Sequence, residues 1–283
     1  MSVFTTRFAP SPTGLLHRGH GFSALSAFSA ARAAGGRFIL RIEDIDTTRC
    51  RPGFETAILE DLAWLGLSWE HPVRRQSEHM ADYLKALQTL CDQGLAYRCF
   101  RTRREVAMEM ASAPHGQVQA FSGGALSPDD EAQRLDRGEP FAWRLSIEAA
   151  RTRLGGFSDL TFLEEGAGLD GQNGWIAADP ARTGDIILAR KDVGVAYHLA
   201  VTVDDALQGM TNIIRGQDLF EATHIQRLLQ ALLGLPTPVY RHHPLLHGAD
   251  GVRLAKRHNA ESLQDLRTAG ISPNTLRKDL GFD

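Results

Sequence analysis

Up to Gly66 the chain alternates between two apolar patterns, and that alternation leaves few folds open. Val3 to Ala9 is an apolar, β-prone run that ends at Pro10-Ser11-Pro12-Thr13-Gly14. Two prolines and a glycine cannot continue a strand, so the chain must turn there. Phe22, Leu25 and Phe28 then recur at helical spacing as far as Gly35-Gly36, which reads as a helix stop. Arg37 to Asp44 is a second strand. A second helix fits Pro52 to Leu65, with Pro52 at its start, Phe54, Ile58, Leu62 and Leu65 on its apolar face, and Gly66 beyond its end. Strand, helix, strand, helix at this pace predicts an α/β fold whose parallel sheet is joined by crossover helices.

Further along, Ser77 is the predicted N-cap of a third helix, with Tyr83, Leu84, Leu87 and Leu90 inward, Cys91 beside that stripe, and Gly94 at its end. Residues 105–140 lose periodicity and read as a loop-rich insertion. Phe141–Leu145, Asp185–Arg190 and Tyr197–Val203 are strand-like, and Ala222 to Leu233 is an amphipathic helix closed by Gly234 and Pro236. These patterns divide the chain into 1–95 and 184–245 as the two halves of one α/β domain, 96–183 as an inserted subdomain, and 246–283 as a loop with a helical C-terminal segment.

No stretch reaches the roughly 18 apolar residues of a membrane span. The N-terminus runs straight into strand-like sequence, which predicts no signal peptide. Cys50, Cys91 and Cys99 have no regular spacing, which points to a reducing, cytoplasmic setting rather than a disulfide framework. The formal net charge of −3 is not that of a globally basic nucleic-acid coat, so any RNA would have to meet local clusters. Arg98 to Arg104 is the densest of these, and a solvated helix start accounts for it equally well. With no hydrophobic element left over, a monomer is expected.

Chemistry concentrates first at the turn after the opening strand. There a helix begins with His17-Arg18-Gly19-His20. A helix N-terminus presents unpaired N–H groups and a partial positive charge, which suits phosphate. Gly19 would let a flat group such as a purine approach the backbone, and imidazoles can donate to phosphoryl oxygens.

The run Arg7-Phe8-Ala9-Pro10-Ser11-Pro12-Thr13-Gly14 with His17-Arg18-Gly19-His20 resembles the HIGH region of class I aminoacyl-tRNA synthetases, in the form used for glutamate. Four more matches follow in order. Arg41-Ile42-Glu43-Asp44-Ile45-Asp46 with Arg49 resembles RIEDTD-xx-R, with Ile45 replacing the usual threonine. Tyr197 to Asp205 resembles Y-x-x-x-x-V-V-D-D, taken as a strand. Arg215-Gly216-Gln217-Asp218 resembles R-G-x-D, and Arg253-Leu254-Ala255-Lys256-Arg257 sits where the KMSKS loop belongs.

The resemblance implies a Rossmann-like (HUP) catalytic fold with an inserted acceptor-type subdomain, a short helical C-terminal region for the RNA stem, and no anticodon-binding domain. It implies an ATP-dependent ligase forming an aminoacyl-adenylate. The ATP site would comprise Pro10, Thr13, Gly14, His17, Gly19, His20, Arg253, Leu254 and Lys256, with His17, His20 and Lys256 acting on the phosphates and Mg²⁺ arriving with ATP. L-glutamate would meet Arg7, Phe8, Ala9, Pro10, Ser11, Glu43, Tyr197 and Arg215. Glutamate carries two carboxylates and one ammonium, and two arginines with one acid complement it. Which arginine takes which carboxylate stays open, and a structural ion pair between Glu43 and Arg215 is the competing account.

A shortened branch of the family has this outline. Its members activate glutamate without tRNA and esterify queuosine in the anticodon stem-loop of tRNA(Asp), so that stem-loop is the implied partner. Members of that branch often hold zinc through a Cys-x-Cys pair with a later tyrosine and cysteine. Here Cys99 is kept but the second position is Arg101, so no metal site is expected. The rival expectations are a tRNA(Glu)-charging enzyme with a partner anticodon domain, a non-catalytic RNA-binding relic, and a small-molecule adenylate-forming ligase.

Overall fold

The computed structural model describes residues 3–102, 104–106, 120–190, 194–246 and 261–282. Strand β1 (Thr5–Phe8) lies parallel to β2 (Arg37–Ile42), with Arg7 opposite Ile39, and β3 (Arg74–Arg75) adds to the far side of β2. Helix α1 (Arg18–Ala33) makes the first crossover and α2 (Pro52–Trp64) the second. The turn after α1 is tight, because a Cβ on Gly36 would sit 2.2 Å from the Phe4 carbonyl oxygen. Glycine is required at that approach.

Beside this sheet lies another, ordered β10-β11-β6-β7, from β6 (Thr161–Glu164), β7 (Gly174–Ala177), β10 (Asn212–Gly216) and β11 (Val239–His243). Strands β10, β11 and β6 run parallel and β7 is antiparallel. The two sheets abut at β1 and β10, where the Thr211 N–H donates to the Thr5 carbonyl at 3.0 Å and the Thr5 N–H donates to Thr211 Oγ1 at 2.8 Å. A third sheet, antiparallel throughout, joins β4 (Ala96–Cys99), β5 (Ala142–Leu145), β8 (Ile187–Arg190) and β9 (Gly194–Val195). Sheet membership is interleaved along the chain: β6 and β7 precede residue 183 yet join β10 and β11, while β8 and β9 follow it yet join β4 and β5.

Successive strand residues face opposite ways, and the two faces of the parallel layer bury different cores. Ile39, Ile213, Tyr240 and Phe162 face one core. It is shared with Tyr83, Leu87 and Leu90 of α3 (Met80–Asp92), and with two further helices, α6 (Tyr197–Leu207) and α7 (Phe220–Leu233). Phe8, Leu40, Ile42 and Ile214 face the other, with α1 and α2. The last two helices, α8 (Leu263–Thr268) and α9 (Pro273–Asp279), seal that side through Leu263, Leu266 and Leu276. Each such fully buried leucine contributes about 1.5–3 kcal/mol.

Three local expectations are corrected. Tyr197–Val203 is the start of α6, not a strand. Leu199 to Val203 are all buried and, Thr202 apart, apolar, and a short run of that kind cannot be told from a strand by period alone. Ser77 does not cap α3: its N–H and hydroxyl both bond Asp44, it lies within a 3₁₀ turn over Gln76–His79, and α3 starts at Met80. That start turns Leu84 to solvent at 51% exposure. Within 105–140 the described residues include a helix, α4 (Pro128–Asp136), capped by the Ser127 hydroxyl, which accepts from the Asp130 N–H at 3.2 Å. A short helix, α5 (Ile147–Leu154), follows β5 and ends on left-handed Gly155.

Candidate active site

Residues two apart on a strand share a face. Arg7, its register partner Ile39, Arg41 beyond it, and Glu43 just past β2 therefore point the same way, towards α6. Helix α6 answers with Asp204 and Asp205. Arg7 grips Asp205 through Nε at 3.0 Å and Nη2 at 3.4 Å. Fully buried Arg41 donates from Nη1 to Asp205 at 2.9 Å and from Nη2 to Glu43 at 3.1 Å, and its Nε lies 3.6 Å from Asp204. Asp204 is also held by Arg74 (2.7 Å), Gln76 (2.8 Å) and the Tyr83 hydroxyl (2.9 Å).

These pairings set the charges. Burial alone would raise the Asp205 pKa, but Arg7 and Arg41 outweigh it and hold it below the usual aspartate value. Burial also works against charge on Arg41, and its three carboxylate neighbours overcome that and raise its pKa. Glu43 differs: burial is only partly offset by Arg41 and Arg7, so its carboxyl is pushed above the ordinary value. A carboxylate so placed gains from a further cation.

Arg215, on β10, faces the same side. Its Nε donates to His242 Nε2 at 3.0 Å, and its Nη2 donates to Thr223 Oγ1 at 2.8 Å and the Leu219 carbonyl at 3.2 Å. Those acceptors are all neutral. Its Nη1 is buried without a hydrogen-bond partner among the described residues, and the side chain is 4% exposed. Glu43 pairs with Arg41, so the competing Glu43–Arg215 ion pair is not the arrangement formed.

Arg7, Glu43, Tyr197 and Arg215 open into one cavity of about 470 Å³. Phe8, Ala9, Pro10, Ser11, Thr13, His17, Gly19 and His20 line it too. Gly14 is not among the lining residues. Arg253, Leu254 and Lys256 lie outside the described residues, although the flanks of their segment are placed. Leu246 lines the cavity, and Ser262 pairs with His17 in an isolated bridge. A smaller cavity of about 250 Å³ shares Ser11, Glu43 and Tyr197 and is bordered by Asp46 and Arg49.

The turn is fixed by backbone bonds: the Glu43 N–H donates to the Pro10 carbonyl at 3.0 Å, and the Arg51 N–H to that of Pro12 at 3.0 Å. His17 is the N-cap of α1. Its Nδ1 accepts from the Gly19 N–H at 3.1 Å, while its own N–H donates to His20 Nδ1 at 3.2 Å. Both Nδ1 atoms are acceptors, so a neutral ring carries its proton on Nε2, where it is a donor. The rings stack with centroids 3.8 Å apart. One end of the cavity thus presents imidazoles and a helix N-terminus, suited to phosphate. The other presents a receptive cation and a carboxylate short of positive charge, suited to an amino acid.

Sequence reasoning missed four participants: Asp205 as the clamp on Arg7, Arg41 as the partner of Glu43, and His242 with Glu164 behind Arg215. His242 Nδ1 lies 2.6 Å from Glu164 Oε2, and both side chains are 0% exposed. The signal was present in Tyr240-Arg241-His242, where a histidine occupies the inward position of a strand. In the inserted region, Cys99 packs with Tyr97 and Phe121, and the Arg101 guanidinium lies over the Phe121 ring at 5.6 Å. Among the described residues no group of three or more His, Cys, Asp or Glu could hold a metal ion, and no helix is long and apolar enough to cross a membrane.

The family described as tRNA synthetases class I (E and Q), catalytic domain, matches residues 3–281. The Glutamyl-Q tRNA(Asp) synthetase of Rhodobacter capsulatus is 45% identical, over 98% of this chain and 99% of that protein. That of Nocardia farcinica is 43% identical over 95% and 81%. Among solved structures, a glutamate tRNA ligase from Elizabethkingia meningosepticum in complex with its amino acid superposes with a TM-score of 0.75 at 26% identity. The superposition covers 95% of this chain but only 54% of that ligase.

Proposed function

Because this chain belongs to the class I tRNA synthetases for glutamate and glutamine, sharing their catalytic domain, we propose that it activates L-glutamate with ATP and ligates it to tRNA(Asp). The acceptor in this reading is the ring of queuosine in the anticodon loop. The observation that carries it is Arg215: a buried guanidinium held, among the described residues, by neutral acceptors, in one cavity with Glu43, His17 and His20.

In the first step a carboxylate oxygen of glutamate attacks the α-phosphorus of ATP in line. The P–O bond to the β-phosphate breaks and pyrophosphate leaves. Such a step depends on positioning and charge more than on covalent help from the protein. Arg215 takes a substrate carboxylate and Arg7 offers the Nη1 that its fork to Asp205 leaves over. Glu43 takes the ammonium, and Tyr197 lies at the junction of the two cavities. Thr13, Gly19, His17 and His20 take the nucleotide, with Mg²⁺ bound to it as part of the substrate. Arg253, Leu254 and Lys256 act on the phosphates from a segment flanked by Leu246 and Ser262 at this cavity. In the second step a ring hydroxyl of the acceptor attacks the carbonyl of the adenylate, reaching Glu43 and Tyr197 through the smaller cavity. An ester forms and AMP leaves.

The test is glutamate-dependent ATP–pyrophosphate exchange without tRNA. Exchange is expected, as is later transfer of labelled glutamate to queuosine-containing tRNA(Asp). Silence until tRNA(Glu) is added, with the label then on its terminal adenosine, would replace this reading with that of an ordinary glutamate–tRNA ligase.

A further inference from the structure

A buried arginine can be held rigid by a carboxylate or by a neutral acceptor, and the cavity contains one of each. Asp205 clamps Arg7 and in doing so neutralises it. Behind Arg215 there is also a carboxylate, Glu164, but a histidine ring stands between them.

The hydrogen bonds fix the state of that ring. Arg215 Nε–H is a donor, so His242 Nε2, 3.0 Å away, must be bare. The proton is then on Nδ1, which donates to Glu164 Oε2 at 2.6 Å. The other tautomer would set N–H against N–H and expel the guanidinium. Glu164 is itself an acceptor on every side: its Oε1 takes the backbone N–H groups of His242 and of Gly166, each at 2.8 Å. The backbone closes tightly here, since a Cβ on Gly166 would lie 2.1 Å from the His242 carbonyl oxygen. Arg215 and His242 are register partners on β10 and β11, so the sheet itself aligns them. Burial also pushes the His242 pKa below its ordinary value and favours the neutral ring.

We propose that Glu164 and His242 are positioning residues for substrate selection: Glu164 sets the tautomer of His242, and His242 orients Arg215 while keeping a neutral atom against it. The guanidinium is thereby fixed without giving its charge to the protein, and the charge remains for a substrate carboxylate. The proposal rests on the reading of Arg215 as a glutamate receptor.

Two substitutions separate orientation from packing. In His242→Gln the amide oxygen takes the place of Nε2 and still accepts from Arg215. In His242→Asn the amide nitrogen takes the place of Nδ1 and the acceptor is lost. In tRNA-free exchange, His242→Gln should keep KM for glutamate within about threefold of wild type, and His242→Asn should raise it roughly tenfold to a hundredfold. KM for ATP should be unmoved in both. Equal loss in the two variants, or a parallel rise in KM for ATP, would mean that His242 only packs and would overturn the proposal. A second measurement needs no substrate: long-range ¹H–¹⁵N NMR of the histidine rings, with the His242 signal identified by its absence in His242→Gln. It should show protonated Nδ1 and bare Nε2 at neutral pH, and the opposite tautomer would refute the relay. If wild-type enzyme showed no glutamate-dependent exchange, the underlying reading would fall instead, and the tautomer would tell that failure apart from failure of the relay.

Discussion

Replacing Arg41 by methionine tests whether the cluster under the cavity is governed by charge. Methionine keeps much of the length and packs well, so the lost charge is isolated from lost volume. Arg41 has Asp205 at 2.9 Å, Glu43 at 3.1 Å and Asp204 at 3.6 Å. At an effective dielectric near 20, each pair is worth about 4 kcal/mol in gross terms. That total is not what the variant loses, because burying the guanidinium cost several kcal/mol in the first place. A tighter bound comes from protons. Asp205 would keep Arg7 and Asp204 would keep Arg74, which leaves Glu43 as the carboxylate whose direct partner has gone. It can escape by protonation, at about 1.4 kcal/mol for each pH unit above its ordinary pKa near 4.3. Measured from that value the cost is capped near 4 kcal/mol at pH 7 and near 1 kcal/mol at pH 5, and because the wild-type Glu43 pKa is already raised, part of that cost precedes the substitution and the loss is smaller.

The sign follows from Glu43. Its folded-state pKa is already raised and rises further in the variant, so the destabilisation is greatest well above the ordinary value and shrinks as acid is added. Urea unfolding at the two pH values measures this directly. Arg41→Met should lose about 1–3 kcal/mol at pH 7 and much less at pH 5, and adding Glu43→Gln should recover most of the loss at pH 7. A loss under about 1 kcal/mol at pH 7, or one independent of pH, would refute the charge argument.

Three further outcomes are expected. Glutamate affinity by calorimetry should weaken as acid protonates Glu43, starting above the ordinary carboxylate range because its pKa is raised, and Glu43→Gln should bind weakly with no such pH dependence. Arg215→Gln should weaken glutamate binding roughly tenfold to a hundredfold while leaving the urea midpoint nearly unchanged; a large fall in midpoint would make Arg215 a structural residue. Asp61, fully buried with its nearest cation Arg267 at 3.4 Å, has its pKa pushed up to about 6, chiefly by burial. A raised carboxyl favours the folded state as pH falls, so wild type should gain about 2 to 3 kcal/mol relative to Asp61→Asn between neutral pH and the ordinary aspartate value, and parallel pH profiles would contradict this.

The opening strand, turn and helix were legible because each is a local decision: prolines break β1, His17 caps α1, and glycine closes it. So was the parallel layer, from its alternation of strand and crossover. Helix α6 was not, because a helix buried on every side has no polar face to show its period, and Tyr197–Val203 passes equally for a strand. Arg7, Glu43, Tyr197 and Arg215 were picked from separate motifs and line one cavity. Their partnerships could not be read, since Arg7 and Asp205 stand 198 residues apart and only the packing of α6 against β1 and β2 decides which carboxylate meets which arginine. Arg7 and Arg215 looked equivalent in sequence for that reason.

They are not equivalent in the fold. The two parallel sheets abut where β1 meets β10, and a ligand cleft is expected at such a switch in strand order. On the β1 side the arginines are tied to carboxylates of α6, which makes a rigid and internally compensated floor. On the β10 side the arginine is tied to an imidazole, a hydroxyl and a carbonyl, which supply rigidity without compensation. The burial of such a cation is largely offset by its hydrogen bonds, and the charge that they leave uncompensated favours an anion. The chain's cavity thus divides its arginines into Arg7, compensated by Asp205 with its Nη1 left over, and Arg215, whose charge is left to the substrate, and the division depends on the atom each is bonded to rather than on the residue type. A carboxylate placed directly against Arg215 would hold it at least as firmly, yet it would occupy the charge that the substrate needs.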